Sequence, residues 1–250
     1  IYFGENNPEY SIIGGAKGSD PIEFDYPDDA SPNGQKNYTY TGKGGVPMGS
    51  LFSRLLFAIY YQEQRILLSN LINSESKIIF NRVPRERVAK VAPWLKIDGD
   101  PYPAIVDGRV LWMIDGYTTS AGYPYSRTVD VSGATTDALN INNNPLTAVP
   151  NSKINYIRNS VKATVDAYDG TVTLYAWDEK DPLLQTWMKA FPGVVKARSE
   201  MSEGLVSHVR YPEDIFRVQR DVLSLYHVKN ANAFYGGQDF WRVPRDPSTL

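Results

Sequence analysis

Two Asp-Gly dipeptides, each between strand-like runs, constrain the fold of this chain most strongly. Asp107-Gly108 and Asp169-Gly170 suit the positive φ angles of a type I′ turn, so each predicts a β-hairpin. In the second hairpin, a turn at 169–170 places Val165 opposite Leu174 and gives one wholly apolar face. The first hairpin is apolar on both faces, as expected of strands that are covered on both sides.

Helices are predicted around these hairpins. One runs from Pro47 to about Leu68; it is apolar over most of its circumference, which favours a central position in the core, with a membrane-surface helix as the alternative. Asp181-Pro182 and Pro212 each begin another helix. Strands and helices in this order predict an α+β fold, in which a mixed or antiparallel sheet built around the two Asp-Gly hairpins is packed with helices.

The length of the chain sets its domain organisation. At 250 residues, 42% of them hydrophobic, the chain can bury a stable core without disulfides. We therefore expect residues 1–250 to form a single domain. Residues 118–152 within it are rich in Ser, Thr, Asn, Gly and Pro, which predicts a long flexible loop that either covers a site or is mobile.

Composition argues against several classes of function. The net charge of -2 argues against nucleic-acid binding, which needs clustered Lys and Arg. The absence of Cys removes thiolate nucleophiles and Cys-ligated metals, and neither His208 nor His227 belongs to a metal-ligand pair. We therefore predict no metal and no cofactor. No run approaches the ~20 apolar residues that a transmembrane helix needs.

Asp115 is the first candidate for a functional residue. It follows the apolar run 110–114, so we place it at the end of a buried strand, where an ionised carboxylate needs a partner. It is either a ligand group or general acid beside Tyr117, or the first residue of an Asp-Gly-Tyr-Thr turn that bonds its own backbone. Arg158 and Asp166 either form a polar cluster with Asp115 or make a structural ion pair.

Several strings in the sequence are distinctive of one family. They are Ile1-Tyr2-Phe3-Gly4-Glu5, Gly44-Gly45-Val46-Pro47, Pro84-Arg85-Glu86-Arg87-Val88, Asp115-Gly116-Tyr117-Thr118-Thr119, Tyr123-Pro124-Tyr125-Ser126, Asn155-Tyr156-Ile157-Arg158-Asn159-Ser160-Val161-Lys162 and Arg210-Tyr211-Pro212-Glu213-Asp214. With them the chain resembles the bacterial uncharacterised protein family 0182. The resemblance implies the soluble, extracytoplasmic region of an integral membrane protein, at the cell membrane and anchored by spans outside this segment. It implies no catalytic residues.

Two functional hypotheses from different classes remain. The leading one is a non-enzymatic extracytoplasmic binding or interaction module of a multi-spanning membrane protein, whose partners are the membrane and either another envelope protein or a small ligand. Asp115, Tyr117, Arg158 and Asp166 are then the candidate binding residues. The alternative is a cell-envelope hydrolase that pairs Asp115 with Asp166 or Asp107, with carboxyl oxygens roughly 5–10 Å apart.

Overall fold

The computed structural model describes residues 1–16, 18–131, 153–242 and 244. The chain divides into two compact units. Unit 1 contains residues 1–91, 108–112 and 165–172, and unit 2 contains residues 92–107, 113–164 and 173–250. Helices occur together with antiparallel and mixed sheets, so the α+β fold class is confirmed. The single domain over residues 1–250 stays a prediction.

Unit 1 combines short strands with three helices along residues 1–91. These elements are β1 (Tyr10–Ile13), β2 (Glu23–Pro27), β3 (Gln35–Tyr38), β4 (Val46–Pro47), α1 (Leu51–Tyr60), α2 (Arg65–Leu68), β5 (Lys77–Phe80) and α3 (Pro84–Val91). The strands β1, β5 and β4 form an antiparallel sheet in that order, while β2 pairs with β3.

The strand β5 organises the core of unit 1. Adjacent side chains of a strand point to opposite faces, and Ile78 and Ile79 of β5 enter two different apolar clusters. The first cluster contains Met48, Ile66, Ile72 and Ile78. The second contains Phe3, Ile13, Tyr40 and Ile79. The short central strand therefore holds both sides of this unit together.

The predicted helix from Pro47 to Leu68 is wrong in its bounds and in its burial. Pro47 belongs to β4, and α1 begins after Ser50, whose hydroxyl accepts from Ser53 N at 3.1 Å. Gln62 has a φ of 53°, which is incompatible with a continuous right-handed helix and separates α1 from α2. No residue of α1 is buried, so it is not a central core helix.

Among its described residues, unit 2 contains four α-helices and most of the larger sheet, whose residues 109–112, 165–166 and 172 belong to unit 1. Its elements are β6 (Lys96–Ile97), β7 (Tyr102–Val106), β8 (Arg109–Ser120), β9 (Val129–Asp130), β10 (Lys153–Ile154), β11 (Tyr156–Asp166), β12 (Val172–Ala176), α4 (Pro182–Ala190), β13 (Val195–Lys196), α5 (Glu203–Ser207), α6 (Glu213–Tyr226) and α7 (Ala231–Tyr235). The strand order is β13-β12-β11-β8-β6, and β7 also pairs with β8. The sheet is mixed, because β12 and β13 are parallel while β6 and β8 are antiparallel.

The two Asp-Gly dipeptides behave differently in the structure. Asp107 and Gly108, between the paired strands β7 and β8, have φ angles of 51° and 75°, as a type I′ turn requires. In the second dipeptide only Gly170 has a positive φ, of 69°. The predicted two-residue turn at 169–170 is therefore wrong.

The turn between β11 and β12 is longer because Asp166 caps it. Asp166 Oδ1 accepts from the amides of Tyr168 at 2.8 Å and Asp169 at 2.9 Å, which is the local bonding that favours Asp in turns. The backbone bond from Asp166 N to Thr171 O places Val165 opposite Val172 instead of Leu174. A two-residue shift leaves each side chain on its predicted face.

The predicted loop at 118–152 falls partly on described residues. Thr118–Ser120 complete β8, and Val129–Asp130 form β9, which pairs with β10 just beyond the segment. Residues 132–152 lie outside the described residues. In the part of the chain that the structure covers, no helix has both the length and the apolar character needed to cross a bilayer.

Candidate functional site

Asp115 lies in the middle of β8, with its carboxylate bound inside unit 2. It forms an ion pair with Lys162 of β11, and the two side chains are 6% and 2% exposed. Asn159 Nδ2 donates to Asp115 Oδ1 at 2.8 Å. The alternative in which Asp115 begins an Asp-Gly-Tyr-Thr turn is wrong, because β8 continues to Ser120.

The surroundings of Lys162 offset the cost of burying this ion pair. Burial raises the pKa of Asp115, while the Lys162 ammonium acts in the opposite direction. Lys162 Nζ also donates to Arg210 O at 3.2 Å and lies 5.3 Å from the centre of the Trp177 ring. A carboxylate, a carbonyl and an aromatic face therefore replace the water that this ammonium loses.

Tyr117 connects β8 to the first turn of α6. Its hydroxyl donates to Asp98 and accepts from Ile215 N at 3.3 Å. Asp98 Oδ2 accepts from Asp214 N at 3.2 Å, and Asp214 Oδ2 in turn accepts from Gly99 N at 2.9 Å. Amides of the first helical turn otherwise lack partners, so this reciprocal pair of carboxylates fixes the start of α6.

Arg158 and Asp166, the other two predicted site residues, have partners of their own. Arg158 pairs with Asp178 at 3.2 Å, and Asp166 pairs with Arg109 at 2.7 Å while capping its turn. Within the described residues neither forms a hydrogen bond or ion pair with Asp115. Asp115 and Tyr117 are linked through Asp98, whose N donates to Asp115 O at 2.9 Å and whose carboxylate accepts from the Tyr117 hydroxyl, and the other two predicted residues take no part in these bonds.

Asp181 is a second buried carboxylate, which the sequence indicated only as a helix start. It is fully buried and accepts from Thr118 Oγ1 at 2.6 Å, Ser160 Oγ at 2.7 Å and Tyr156 Oη at 2.5 Å. Although burial opposes ionisation, these hydroxyls hold the pKa of Asp181 below its usual range. The sequence signal that could have revealed the partners of Asp181 was the presence of hydroxyl side chains inside strands that are otherwise apolar.

Both buried carboxylates are satisfied by donors within the protein, while the buried Asn159 Oδ1 has no hydrogen-bond partner among the described residues. Asp115 has Lys162 and Asn159, and Asp181 has three hydroxyls together with the amides of α4 that it caps. Among the residues that the structure describes, no group of three or more His, Asp or Glu side chains is arranged to hold a metal ion. In this arrangement the carboxylates stabilise the packing of β8, β11, α4 and α6.

Unit 1 carries a surface of a different kind, formed by the outer face of α1. We call it the α1 surface; its residues are Leu51, Phe52, Leu55, Leu56, Ile59 and Tyr60, which are between 44% and 72% exposed. Leu67, Leu68 and Leu71 are also exposed in the segment that follows. Contiguous apolar area of this kind on a folded protein commonly marks an interaction site.

The single charge of α1 is turned away from this surface. Arg54 donates through Nε to Met48 O at 3.1 Å and through Nη2 to Ile72 O at 2.7 Å. Phe57 and Tyr61, on the same inner side, pack against the cluster around Met48. The helix therefore presents its more polar side to the protein and its apolar side to solvent, the reverse of the usual amphipathic arrangement.

Comparison with known proteins places these features in a family. The profile of the Uncharacterised protein family (UPF0182) matches residues 1–249. The chain is similar to UPF0182 proteins from Arthrobacter sp. (55% identity over 99% of this chain), Saccharopolyspora erythraea (55% over 100%) and Thermobifida fusca (60% over 85%). It covers 25%, 25% and 21% of those proteins, so it spans about a quarter of the length of its relatives. No solved structure matched the chain.

Proposed function

Because the chain belongs to the Uncharacterised protein family (UPF0182), whose name assigns no activity, we propose a function from its surface. The chain is a non-enzymatic binding module on the extracytoplasmic side of a bacterial cell membrane. It docks on the lipid surface through the α1 surface, while other parts of the longer protein supply the anchor.

The exposure of the α1 surface carries this proposal. Full burial of one Leu, Ile or Phe side chain contributes about 1.5–3 kcal/mol. At the observed exposures, covering the six side chains would contribute on the order of 5–10 kcal/mol before the cost of association. This free energy is of the order that a single acyl chain contributes to its weak, reversible membrane binding. The surface therefore supports docking and needs a second anchor for stable attachment.

The chemistry of the surface favours lipid as the partner. Its residues include no acid and no base, and Phe52 and Tyr60 are aromatic side chains of the kind found at the boundary between headgroups and acyl chains. Arg65, 93% exposed at its side chain, flanks the surface and suits a lipid phosphate. Docking driven by apolar area should persist at high salt, unlike binding through charges.

Vesicle co-sedimentation tests the proposal with a matched pair of variants. Ile59 on the α1 surface and Ile105 on β7 are 65% and 71% exposed, so replacing either by Gln removes a similar apolar area. We expect Ile59→Gln to weaken partitioning to phosphatidylcholine vesicles about tenfold and Ile105→Gln to leave it unchanged. Equal loss in both variants, or no partitioning of the unaltered chain, would contradict the proposal.

Self-association is the competing use of the same surface. Sedimentation velocity without lipid distinguishes lipid docking from self-association. Lipid docking predicts a monomer, whereas a dimer that Ile59→Gln dissociates would replace the proposal.

The proposed location is tested on the full-length protein in intact cells. A Cys introduced at Ile105 should react with a maleimide that does not cross membranes, and protection until the cells are lysed would contradict an extracytoplasmic position.

The hydrolase alternative requires a carboxylate that is free to reach a substrate. Asp115 is bound by Lys162 and Asn159, and Asp166 by Arg109 and two amides of its own turn. Asp107 is exposed at the turn after β7. No observation on the described residues favours hydrolysis over binding, so we propose the binding function alone.

A further inference from the structure

A cavity of about 630 Å³ opens in unit 1, among residues that the proposed docking does not use. Its apolar walls include Phe24, Tyr38 and Tyr168, and its polar lining includes Glu23, Asp25 and Arg82. A concave site with aromatic walls and a few polar groups is the usual form of a small-molecule site.

Arg82 is the unusual member of this lining. It is only 7% exposed, and its one side-chain hydrogen bond to the described part of the chain is from Nε to Tyr2 O, at 2.8 Å. It makes no ion pair with any described residue. Neither Nη nitrogen is sealed from solvent, and Arg82 is one of the residues that line the cavity. A buried cation without an anion is costly, so an anion that pairs with Arg82 would offset part of that cost.

The acidic residues of the cavity restrict which anion fits. Glu23 is committed to the fold, because its carboxylate accepts from Gly14 N at 2.6 Å, Tyr40 N at 3.1 Å and the Tyr2 hydroxyl. Asp25 is exposed and also lines the cavity. Two carboxylates near one guanidinium disfavour a dianion more strongly than a single negative charge.

The aromatic wall is held in position before any ligand arrives. The ring of Tyr168 lies 5.4 Å from that of Tyr2 and 4.9 Å from that of Tyr40, and its hydroxyl accepts from Thr41 N at 3.1 Å. A rigid wall reduces the entropy lost on binding. A flat or ring-shaped body can pack against it while a charged group reaches Arg82.

We propose that this cavity binds a small organic monocarboxylate. The carboxylate pairs with the planar guanidinium of Arg82, which offers two parallel N–H donors to such a group, and the ring of the ligand packs against Tyr38 and Tyr168. The proposal does not depend on docking through the α1 surface, and its test uses no lipid.

Calorimetric titration of the whole chain with benzoate tests this assignment. Benzoate should bind, and its neutral isostere benzamide and inorganic phosphate should each bind at least tenfold more weakly. Arg82→Gln should weaken benzoate binding at least tenfold, and Arg127→Gln, at an exposed Arg that does not line the cavity, should not change it. Benzamide binding as tightly as benzoate, phosphate binding more tightly, or no benzoate binding at 10 mM, roughly the weakest affinity such a pair would give, would overturn the proposal.

Tyr38→Leu keeps the test decisive if Arg82→Gln does not fold. Tyr38 is 42% exposed, so its replacement leaves the core intact while removing one aromatic wall. We expect weaker binding of benzoate with little change for acetate, which has no ring. Equal effects on benzoate and acetate would show that the ring does not pack on this wall and would overturn that part of the proposal.

Discussion

Replacing Lys162 by Met should destabilise the protein by an amount that depends on pH. The substitution keeps the shape of the side chain and leaves the Asp115 carboxylate buried with Asn159 as its remaining side-chain donor. Removing one partner of a buried pair costs about 3–5 kcal/mol. Because both side chains are almost inaccessible, solvent screening does not reduce this value.

The part of this cost that comes from leaving Asp115 unpaired cannot exceed the cost of protonating Asp115. Relative to the ordinary aspartate pKa of 3.8, keeping a carboxyl protonated at pH 7 costs about 4 kcal/mol, and at pH 5 less than about 2 kcal/mol. A pKa raised by folding means that the folded carboxyl keeps its proton longer than the unfolded one, so acid stabilises the variant relative to neutral pH. We therefore expect a loss of about 3–4 kcal/mol at pH 7 that shrinks to below about 2 kcal/mol at pH 5.

Urea denaturation at both pH values measures these losses. Lys196→Met is the matched control, since the Lys196–Glu200 pair is about half exposed and 4.0 Å apart and should contribute less than about 1 kcal/mol. Combining Lys162→Met with Asp115→Leu should cost less than Lys162→Met alone, because no charge is then left unpaired. The reasoning is refuted if the loss is the same at pH 7 and pH 5, or if it is no larger than that of the control.

Two further predictions concern other parts of the fold. Gly42→Ala places a Cβ 2.3 Å from Asp169 Oδ1 and 2.4 Å from Tyr40, so thermal unfolding should show that the free energy of unfolding falls by about 1–3 kcal/mol. Gly122→Ala, with its nearest contact at 3.6 Å, is the control, and a similar loss of stability there would contradict the steric argument. Asp181→Ala removes a helix cap and the acceptor of three hydroxyls, which should cost about 2–4 kcal/mol. Because folding lowers the pKa of Asp181, this loss should be complete at neutral pH and shrink as the pH falls through that lowered value; a loss that grows in acid would be inconsistent with it.

Local signals predicted those elements whose ends are fixed by their own residues. The helix α4 begins after Asp181, whose side chain accepts from two amides of the first turn. Pro212 likewise precedes α6. In α4 the determining bond lies within a few residues, where sequence patterns are informative, whereas the start of α6 is fixed by Asp98 and Tyr117, which are distant in sequence.

The burial of α1 and the role of Asp115 were not predictable in this way. Six apolar residues indicated a core helix, but Arg54 and Phe57 occupy the inner side through contacts with residues near Met48 and Ile72. A charge after an apolar run suggested the end of a strand, yet Lys162, 47 residues away, allows β8 to continue through Asp115. Both outcomes depend on partners distant in sequence, which periodicity does not reveal.

The division of the chain into units has a consequence for its synthesis. Unit 1 takes most of its residues from 1–91 but also includes 108–112 and 165–172. Its contacts therefore close only after residue 172 has left the ribosome, on the order of 4–16 s after residue 91 at about 5–20 residues per second. Until then the partners of Arg87 and Phe3 around Gly170 do not exist, so a nascent chain ending near residue 91 should be more susceptible to proteases than the same segment in the finished protein.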